Sequence, residues 1–401
     1  MTAPTVTATP EGISFVWPDL PVTVLLSRIR EGTHDTTAEF QAIYTNGTGK
    51  AKTITHQKLN LLTSKDRLAK ELQKKHDAPW GSMLEQVGVL ALRHLRQGEP
   101  IESLDPTALT DPAWFVLNPL LYQQNPTVLY GPGDSMKSFF ALYCALLLTN
   151  GVSGASISVA PTPWKVLWLD WEMSANDVRS RVKLLQAGDP RLVHSPDYRR
   201  CIRPLADEIA EVKKVVTAGE YDVLILDSLA MAAGGQELER ADSAIRFNAA
   251  LRELYCTSLI IGHTPKPQAD QKERSLYGSV FFHNLCRVSW EVQREGDTLG
   301  LYQRKNNLGR KHEPLGFSLM VDDQAATIET ADLMDDPVLA KGLSLVERVA
   351  SYLAEKPGQT VEQLAAALDA NPNSLAVTLS RAKRNGVRRF ETINSKWEVI
   401  A

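Results

Sequence analysis

The octet Gly131-Pro132-Gly133-Asp134-Ser135-Met136-Lys137-Ser138 sets two glycines, a lysine and a hydroxyl at the spacing that cradles a polyphosphate. In such a loop successive backbone N–H groups and the following helix N-terminus point at the phosphates. The lysine neutralises β- and γ-phosphate charge, and the serine hydroxyl ligates Mg²⁺. The context fits, because an apolar run from Thr127 to Tyr130 precedes the loop and a helical stretch opens at Lys137. Gly131, Gly133, Asp134, Ser135, Met136, Lys137 and Ser138 are thus expected to bind ATP, with Ser138 on its Mg²⁺. Met136 departs from the pattern: it stands where the last glycine belongs, and glycine is the residue that most readily permits a close, strained backbone approach. A glycine-rich strand-to-helix turn with a solvated lysine would carry the same letters, so residues farther along decide the matter.

Three later apolar runs end in polar groups. Tyr221 to Ser228 reads as a strand closing on Asp227, a carboxylate suited to hold the Mg²⁺ shell. Leu167 to Ser174 closes on Asp170-Trp171-Glu172, which brings Glu172 to the same sheet edge, where a carboxylate can orient and deprotonate a water. Glu172 could instead only cap the helix that begins at Ser174. Ile260-Ile261-Gly262-His263-Thr264 ends the next run, and His263 is either a structural histidine or a contact for the γ-phosphate, since ligands collect at strand carboxyl ends in open α/β sheets.

Taken together, Gly131 to Ser138, Asp170 to Met173, Asp227-Ser228, Gly262-His263-Thr264 and Tyr277-Gly278-Ser279 resemble the RecA-type AAA ATPases of phages and mobile elements, related to the RepA hexameric plasmid helicase and more distantly to DnaB. The likeness covers about Thr127 to Thr330. It implies a RecA-like core, ATP hydrolysis at subunit interfaces, a homo-oligomeric ring, hexameric by that resemblance, and work on DNA. It also implies the roles: Lys137 and Ser138 on phosphate and Mg²⁺, Glu172 the catalytic carboxylate, Asp227 the second Mg²⁺ residue, His263 the γ-phosphate sensor. The family places a Lys-x-Arg pair late in the sheet to reach a neighbour's nucleotide. Gln303 to Asn307 occupies that place with Asn307 where arginine is expected, which leaves Arg304, Lys305 or Arg310 as the reaching cation, or else a solvated basic turn. Where RecA-like rings present strand-binding loops, Pro265 to Arg274 offers Lys266, Lys272 and Arg274, with Tyr277 as a stacking face for single-stranded DNA in a central channel. An ordinary surface loop is the other possibility.

These side chains need a scaffold, and the pattern supplies one. Short apolar runs near 127–130, 166–169, 223–226, 258–261, 287–292 and 300–303 alternate with amphipathic stretches at 137–148, 175–185, 206–218 and 241–254. That is the βα alternation of a mostly parallel sheet covered by helices on both faces, an α/β domain over residues 126–335. Ahead of it, residues 12–61 alternate in the strand manner, and Ser64 can cap a helical stretch carrying Leu68, Leu72, Leu84, Val87 and Leu95. A small α+β module over residues 1–98 follows, then a Pro- and Asp-rich linker over 99–125 in which Trp114 to Leu121 docks back on a core.

Beyond Pro337 comes the order helix, helix, turn, helix, hairpin, the order of a winged helix-turn-helix over residues 343–401. Asn371, Asn373, Ser374 and Thr378 offer short polar groups early in its third helix. Arg381, Lys383, Arg384, Arg388, Arg389 and Lys396 concentrate positive charge there, so Asn373, Arg381, Arg384 and Arg388 are expected on duplex DNA. Such units also dock proteins.

Composition bounds the rest. At 401 residues the chain is long enough for two or three domains, and 43% hydrophobic with 23% charged residues excludes collagen-like, low-complexity and mainly disordered classes. A net charge of -3 gives no global pull toward nucleic acid or membrane. Cys144, Cys201, Cys256 and Cys286 lack metal-ligand spacing and read as free thiols in a reducing cytoplasm, and the longest apolar run, Phe139 to Leu148, is too short to span a bilayer. The expectation is a cytoplasmic, ATP- and Mg²⁺-dependent ring helicase. A nucleotide-dependent DNA adaptor or loader, or a transcriptional regulator built on the C-terminal unit, would use the same site.

Overall fold

The computed structural model describes residues 2–9, 12–31, 34–97, 101, 103, 105, 115–235, 241–264, 280–385, 390–393 and 395–399. Trp114, Lys266, Lys272, Arg274, Tyr277, Arg388 and Arg389 lie outside them. The chain divides into two compact units, one of residues 1–112 with 208–219 and one of residues 113–207 with 220–401.

In the first unit five antiparallel strands run in chain order: β1 (Thr5–Thr9), β2 (Gly12–Val16), β3 (Val22–Glu31), β4 (Thr36–Thr45) and β5 (Ala51–Asn60). Alternate residues of the middle strands face inward, so Phe15, Val24, Leu26, Phe40 and Ala42 are buried while their neighbours are not. Two helices, α1 (Asp66–Gln73) and α2 (Trp80–Arg96), add Leu68, Leu72, Trp80, Met83, Leu84 and Val87 to the same core. Strand β1 escapes the sequence pattern because TVTAT has no large apolar residue. Ser64 does not cap α1. The capping position is Lys65 without a side-chain cap bond, and the Ser64 hydroxyl donates instead to the Asp66 carboxylate at 2.8 Å.

The second unit is built on a nine-stranded sheet. Its parallel half comprises β8 (Pro126–Gly131), β10 (Val166–Asp170), β11 (Asp197–Arg200), β12 (Val223–Asp227), β13 (Thr257–His263) and β14 (Val288–Glu295). An antiparallel meander of β15 (Thr298–Asn306), β16 (Leu315–Val321) and β17 (Ala326–Thr330) continues from β14, and the spatial order is β11-β10-β12-β13-β8-β14-β15-β16-β17. The strand feeding the phosphate loop, β8, lies between β13 and β14, with β13 alone separating it from the strand that ends at Asp227. Strands β10 and β12 are buried at every residue, as expected for a sheet covered on both faces, and for this reason they read as unbroken apolar runs. Strand β11, DYRR, is a polar edge strand and gives no such signal.

Helix α3 (Lys137–Asn150) follows the phosphate loop and buries every residue from Phe139 to Leu148. A helix apolar all round belongs in an interior. At roughly 1.5–3 kcal/mol for each fully buried large side chain, it anchors the loop firmly to the sheet. Its neighbour α4 (Ala175–Gly188) begins with a capping box, Ser174 accepting from Asp177 N–H and the Asp177 carboxylate accepting from Ser174 N–H. The helices α6 (Leu229–Ala232), α7 (Ala241–Glu253) and α8 (Val280–Leu285) continue the α/β alternation, while α5 (Leu205–Gly219), between β11 and β12 in the chain, has its residues 208–219 in the first unit. The segment read as a linker contains two strands, β6 (Phe115–Asn118) and β7 (Leu121–Tyr122), of which β6 pairs with β7 on one side and with β9 (Ser158–Val159) on the other, and Val116, Leu117, Leu120 and Leu121 join the main core. Its docking is therefore by strand pairing as well as by apolar contact.

Past the sheet, α9 (Leu345–Glu355), α10 (Val361–Ala367), α11 (Pro372–Asn385) and the hairpin of β18 (Phe390–Ile393) and β19 (Lys396–Val399) share a small core of Val349, Leu353, Leu364, Leu375, Leu379 and Trp397. Capping boxes at Ser344 with Glu347 and at Thr360 with Gln363 fix where α9 and α10 start. No helix of the described residues is long and apolar enough to cross a membrane.

Candidate functional site

The carboxyl edges of β8, β10, β12 and β13 converge. In register, Gly131 lies opposite His263 and Asp170 opposite Asp227, and the Thr264 N–H donates to Gly131 O at 3.0 Å. Gly131 is required by packing, since a Cβ there would meet Val292 O of β14 at 2.4 Å, whereas one on Gly133 would meet nothing. Met136 takes the left-handed conformation, φ 57, that the missing glycine would take. That conformation costs a side-chain-bearing residue about 1–2 kcal/mol, and the Met136 side chain packs against the main core in return.

Lys137 folds back over its own loop, its ammonium donating to Pro132 O and to Ser135 Oγ at 3.0 Å. Burial lowers its pKa to about 8, against the pull of Asp227, Glu172 and Asp134. Asp227 is more deeply placed. Both its carboxylate oxygens are buried without a hydrogen-bond partner of normal geometry, and burial lifts its pKa to about 7 although the nearby Ser138 hydroxyl opposes the rise. An orphaned buried carboxylate beside a serine hydroxyl is costly by itself and suits a cation. No group of three or more His, Cys, Asp or Glu capable of holding a metal occurs among the described residues. Ser138 with Asp227 therefore fits Mg²⁺ in the manner that ion prefers, a carboxylate and a hydroxyl completed by phosphate oxygens and water.

Glu172 faces this pair from the next strand end. Its carboxylate accepts from the Ser228 hydroxyl, and His263 Nε2 stands 3.6 Å from its Oε1. His263 and then Ser228 hold its pKa below the usual glutamate value, outweighing burial. Glu172 is not the cap of α4, because Ser174 does that. Its position is set instead by Asp170, whose Oδ1 accepts the N–H groups of Glu172 and Met173, both at 2.8 Å. Trp171 N–H donates to Asp227 O at 2.7 Å, locking the two strand ends together. A half-exposed, ionised carboxylate beside a cation site and a lysine can take a proton from water.

Neither Ser228 nor Arg294 carries a role in the sequence pattern. Arg294 Nη1 donates to Asp134 O at 3.1 Å, tying the β14–β15 hairpin to the phosphate loop. Farther along the sheet, Arg304 Nε donates to the buried Glu291 carboxylate at 2.7 Å, and its guanidinium lies 5.1 Å from the Tyr302 ring centre. Lys305 donates to His283 O and Asn284 O at the end of α8. Both cations are engaged within their own chain. Arg310 is exposed in the β15–β16 connection, and its guanidinium has no partner among the described residues.

In α11 the residues Leu375, Leu379 and Ala382 face the small core, and Asn373, Arg381 and Arg384 are exposed. Asn371 Oδ1 accepts the N–H groups of Asn373 and Ser374, at 3.0 and 3.1 Å, and so starts the helix.

Comparison with known proteins bears on the first of these sites. An AAA domain family model matches residues 96–269, less than half the chain, and that stretch includes the phosphate loop, Glu172, Asp227 and His263. No curated protein matches. Among solved structures, a KaiC-like protein from the hyperthermophilic archaeon Pyrococcus horikoshii OT3 is similar with a TM-score of 0.38 and 13% identity, over 52% of this chain and 93% of that one. The matched segment is thus similar to an AAA domain, and within it β8, the strand before the phosphate loop, pairs with β13.

Proposed function

We propose that the chain is an ATP- and Mg²⁺-dependent RecA-like motor that works on DNA as a ring helicase of a phage or mobile element. The observation that carries the reading is the convergence at one sheet edge of Lys137, the unpartnered Asp227 carboxylate beside Ser138, and Glu172 held ionised by His263 and Ser228. In the proposed cycle Lys137 leaves Pro132 O for the phosphates, Asp227 and Ser138 hold Mg²⁺, Glu172 takes the proton of the attacking water, and His263 contacts the γ-phosphate. Mg²⁺ supplies charge neutralisation at the phosphate oxygens.

On DNA, the C-terminal helices and hairpin act as a winged helix with α11 as the recognition helix. Its exposed Asn373 can face bases while Arg381 and Arg384 reach phosphates. Lys266, Lys272, Arg274 and Tyr277 are retained as the strand contacts of a homo-oligomeric ring, and Arg388 as a further duplex contact.

A second reading has an observation of its own. Arg304 and Lys305 are spent inside their own chain, which favours a nucleotide-switched DNA adaptor or loader unless Arg310 serves as the reaching cation. Strand displacement on a forked duplex separates the two. ATP-dependent separation that Lys137→Ala abolishes supports the helicase, and ATP hydrolysis with no displacement at any fork supports the adaptor.

A further inference from the structure

A second cavity opens at the opposite edge of the same sheet. It measures about 400 Å³ and lies between the starts of β8, β13 and β14 and the end of α7. Pro126 is in its wall and Gly131 is in the phosphate loop, so at ~3.3 Å per residue the two sites stand about 17 Å apart along one strand.

Its wall is one-sided in charge. Arg252 and Arg287 line it, no Asp or Glu does, and neither guanidinium has a partner among the described residues. Asp222 contributes with burial to raising the Cys256 thiol pKa to about 11, and its carboxylate already accepts from Lys165 N–H at 2.9 Å. Ser258, also in the wall, is wholly buried, and its hydroxyl has no hydrogen-bond partner. Leaving such a group unpaired costs about 1–3 kcal/mol.

Tyr255 adds a third, independent feature. It follows α7 at φ 49, the left-handed position that glycine usually fills after a helix, and yet its side chain is 72% exposed. The chain bears that strain of about 1–2 kcal/mol at a residue whose ring lines the cavity and is mostly open to solvent. Asn125 and Asn248 complete the polar lining. Their amide N–H groups donate to Gln123 O and Ala244 O, both at 2.8 Å, which leaves their amide oxygens as acceptors.

We propose that this cavity binds a nucleotide 5′-phosphate, separately from the ATP site. Arg252 and Arg287 take the phosphate, Ser258 gains its missing partner, and Tyr255 offers a face on which the base stacks. Two guanidinium groups lining one cavity with an exposed aromatic ring are the chemistry of a nucleotide unit. That unit is either a free mononucleotide or the 5′ end of a single strand.

The test is calorimetric titration of the full chain with dTMP, with inorganic phosphate, with a short 5′-phosphorylated oligothymidylate and with its unphosphorylated form. A monophosphate lacks the β-phosphate that the phosphate loop grips, so Lys137→Ala should bind these probes as wild type does. Arg252→Ala with Arg287→Ala should weaken phosphorylated probes by about tenfold or more. Tyr255→Ala should weaken dTMP but leave inorganic phosphate unchanged, and the Tyr255 and double arginine variants should keep wild-type ATP turnover and melting temperature. Binding of dTMP makes a free nucleotide sufficient, and binding of the phosphorylated oligomer alone makes a strand end the source. Failure of both dTMP and the phosphorylated oligomer at millimolar concentration overturns the proposal, as does wild-type dTMP binding by the double arginine variant, or loss of dTMP binding in Lys137→Ala.

Discussion

Glu172 is gripped by two partners from two other parts of the chain, Ser228 and His263, and their joint effect is to favour the carboxylate over the acid. A base works only when deprotonated, so the depressed pKa keeps it active further into acid. Ser228→Ala or His263→Ala should raise that pKa and move the acid limb of the pH–turnover profile upward, by about one pH unit. A profile unmoved in both variants would show that neither partner tunes Glu172. Asp227 is displaced in the other direction, from 3.8 to about 7. The folded chain then binds a proton that the unfolded chain has lost, so without Mg²⁺ the contribution of Asp227 to stability is greatest at low pH and falls as pH rises from 4 to 7, by about 4 kcal/mol at most. Asp227→Asn should therefore melt at higher temperature than wild type above pH 7 in the absence of Mg²⁺, and should lose Mg²⁺-dependent turnover. Unchanged melting together with full turnover would remove Asp227 from the site. Lys137, Ser138 and Asp227 were legible because spacing within one turn or one strand end declares them. Ser228 was not, because it meets Glu172 across 56 positions of sequence, and only strand pairing brings them together.

At the scale of elements, the phosphate loop is held between β14 and the buried helix α3. Gly131→Ala would push a methyl group to 2.4 Å from Val292 O, a backbone atom that cannot swing aside. Overpacking of this kind typically costs 1–3 kcal/mol, so thermal melting should fall by several degrees and ATP affinity with it, and an unaltered melting curve would contradict the packing described. The elements themselves were readable where burial is complete. Strands β10, β12 and β13 and helix α3 announce themselves as apolar runs because both faces are covered. Polar β11 and the short β9 carry no such mark, since an edge strand is defined by its neighbour's hydrogen bonds. Phe115 to Tyr122 looked like a linker for a related reason: its pairing partner, β9, is remote in sequence. The capping position of α1 is Lys65 and not Ser64, because the Ser64 hydroxyl, which donates to the Asp66 carboxylate, accepts only from the Asp66 N–H at 3.4 Å and from no N–H deeper in the helix.

At the scale of the whole molecule, the proposal joins an ATP site to a DNA-binding end. If Arg381 and Arg384 contact phosphates, replacing both by alanine in the full chain should weaken duplex binding and reduce the slope of log affinity against log salt by about two contacts' worth, ~0.9 for each. An unchanged slope would mark α11 as a protein-docking surface. The central claim is narrower than either DNA contact: hydrolysis proceeds at the phosphate loop with Glu172 as the base. The direct measurement is steady-state Mg²⁺-ATP turnover of Glu172→Gln beside its ATP affinity. Affinity close to wild type, with turnover lower by about a hundredfold or more, is the expected result. Turnover near wild type in that variant would contradict the account.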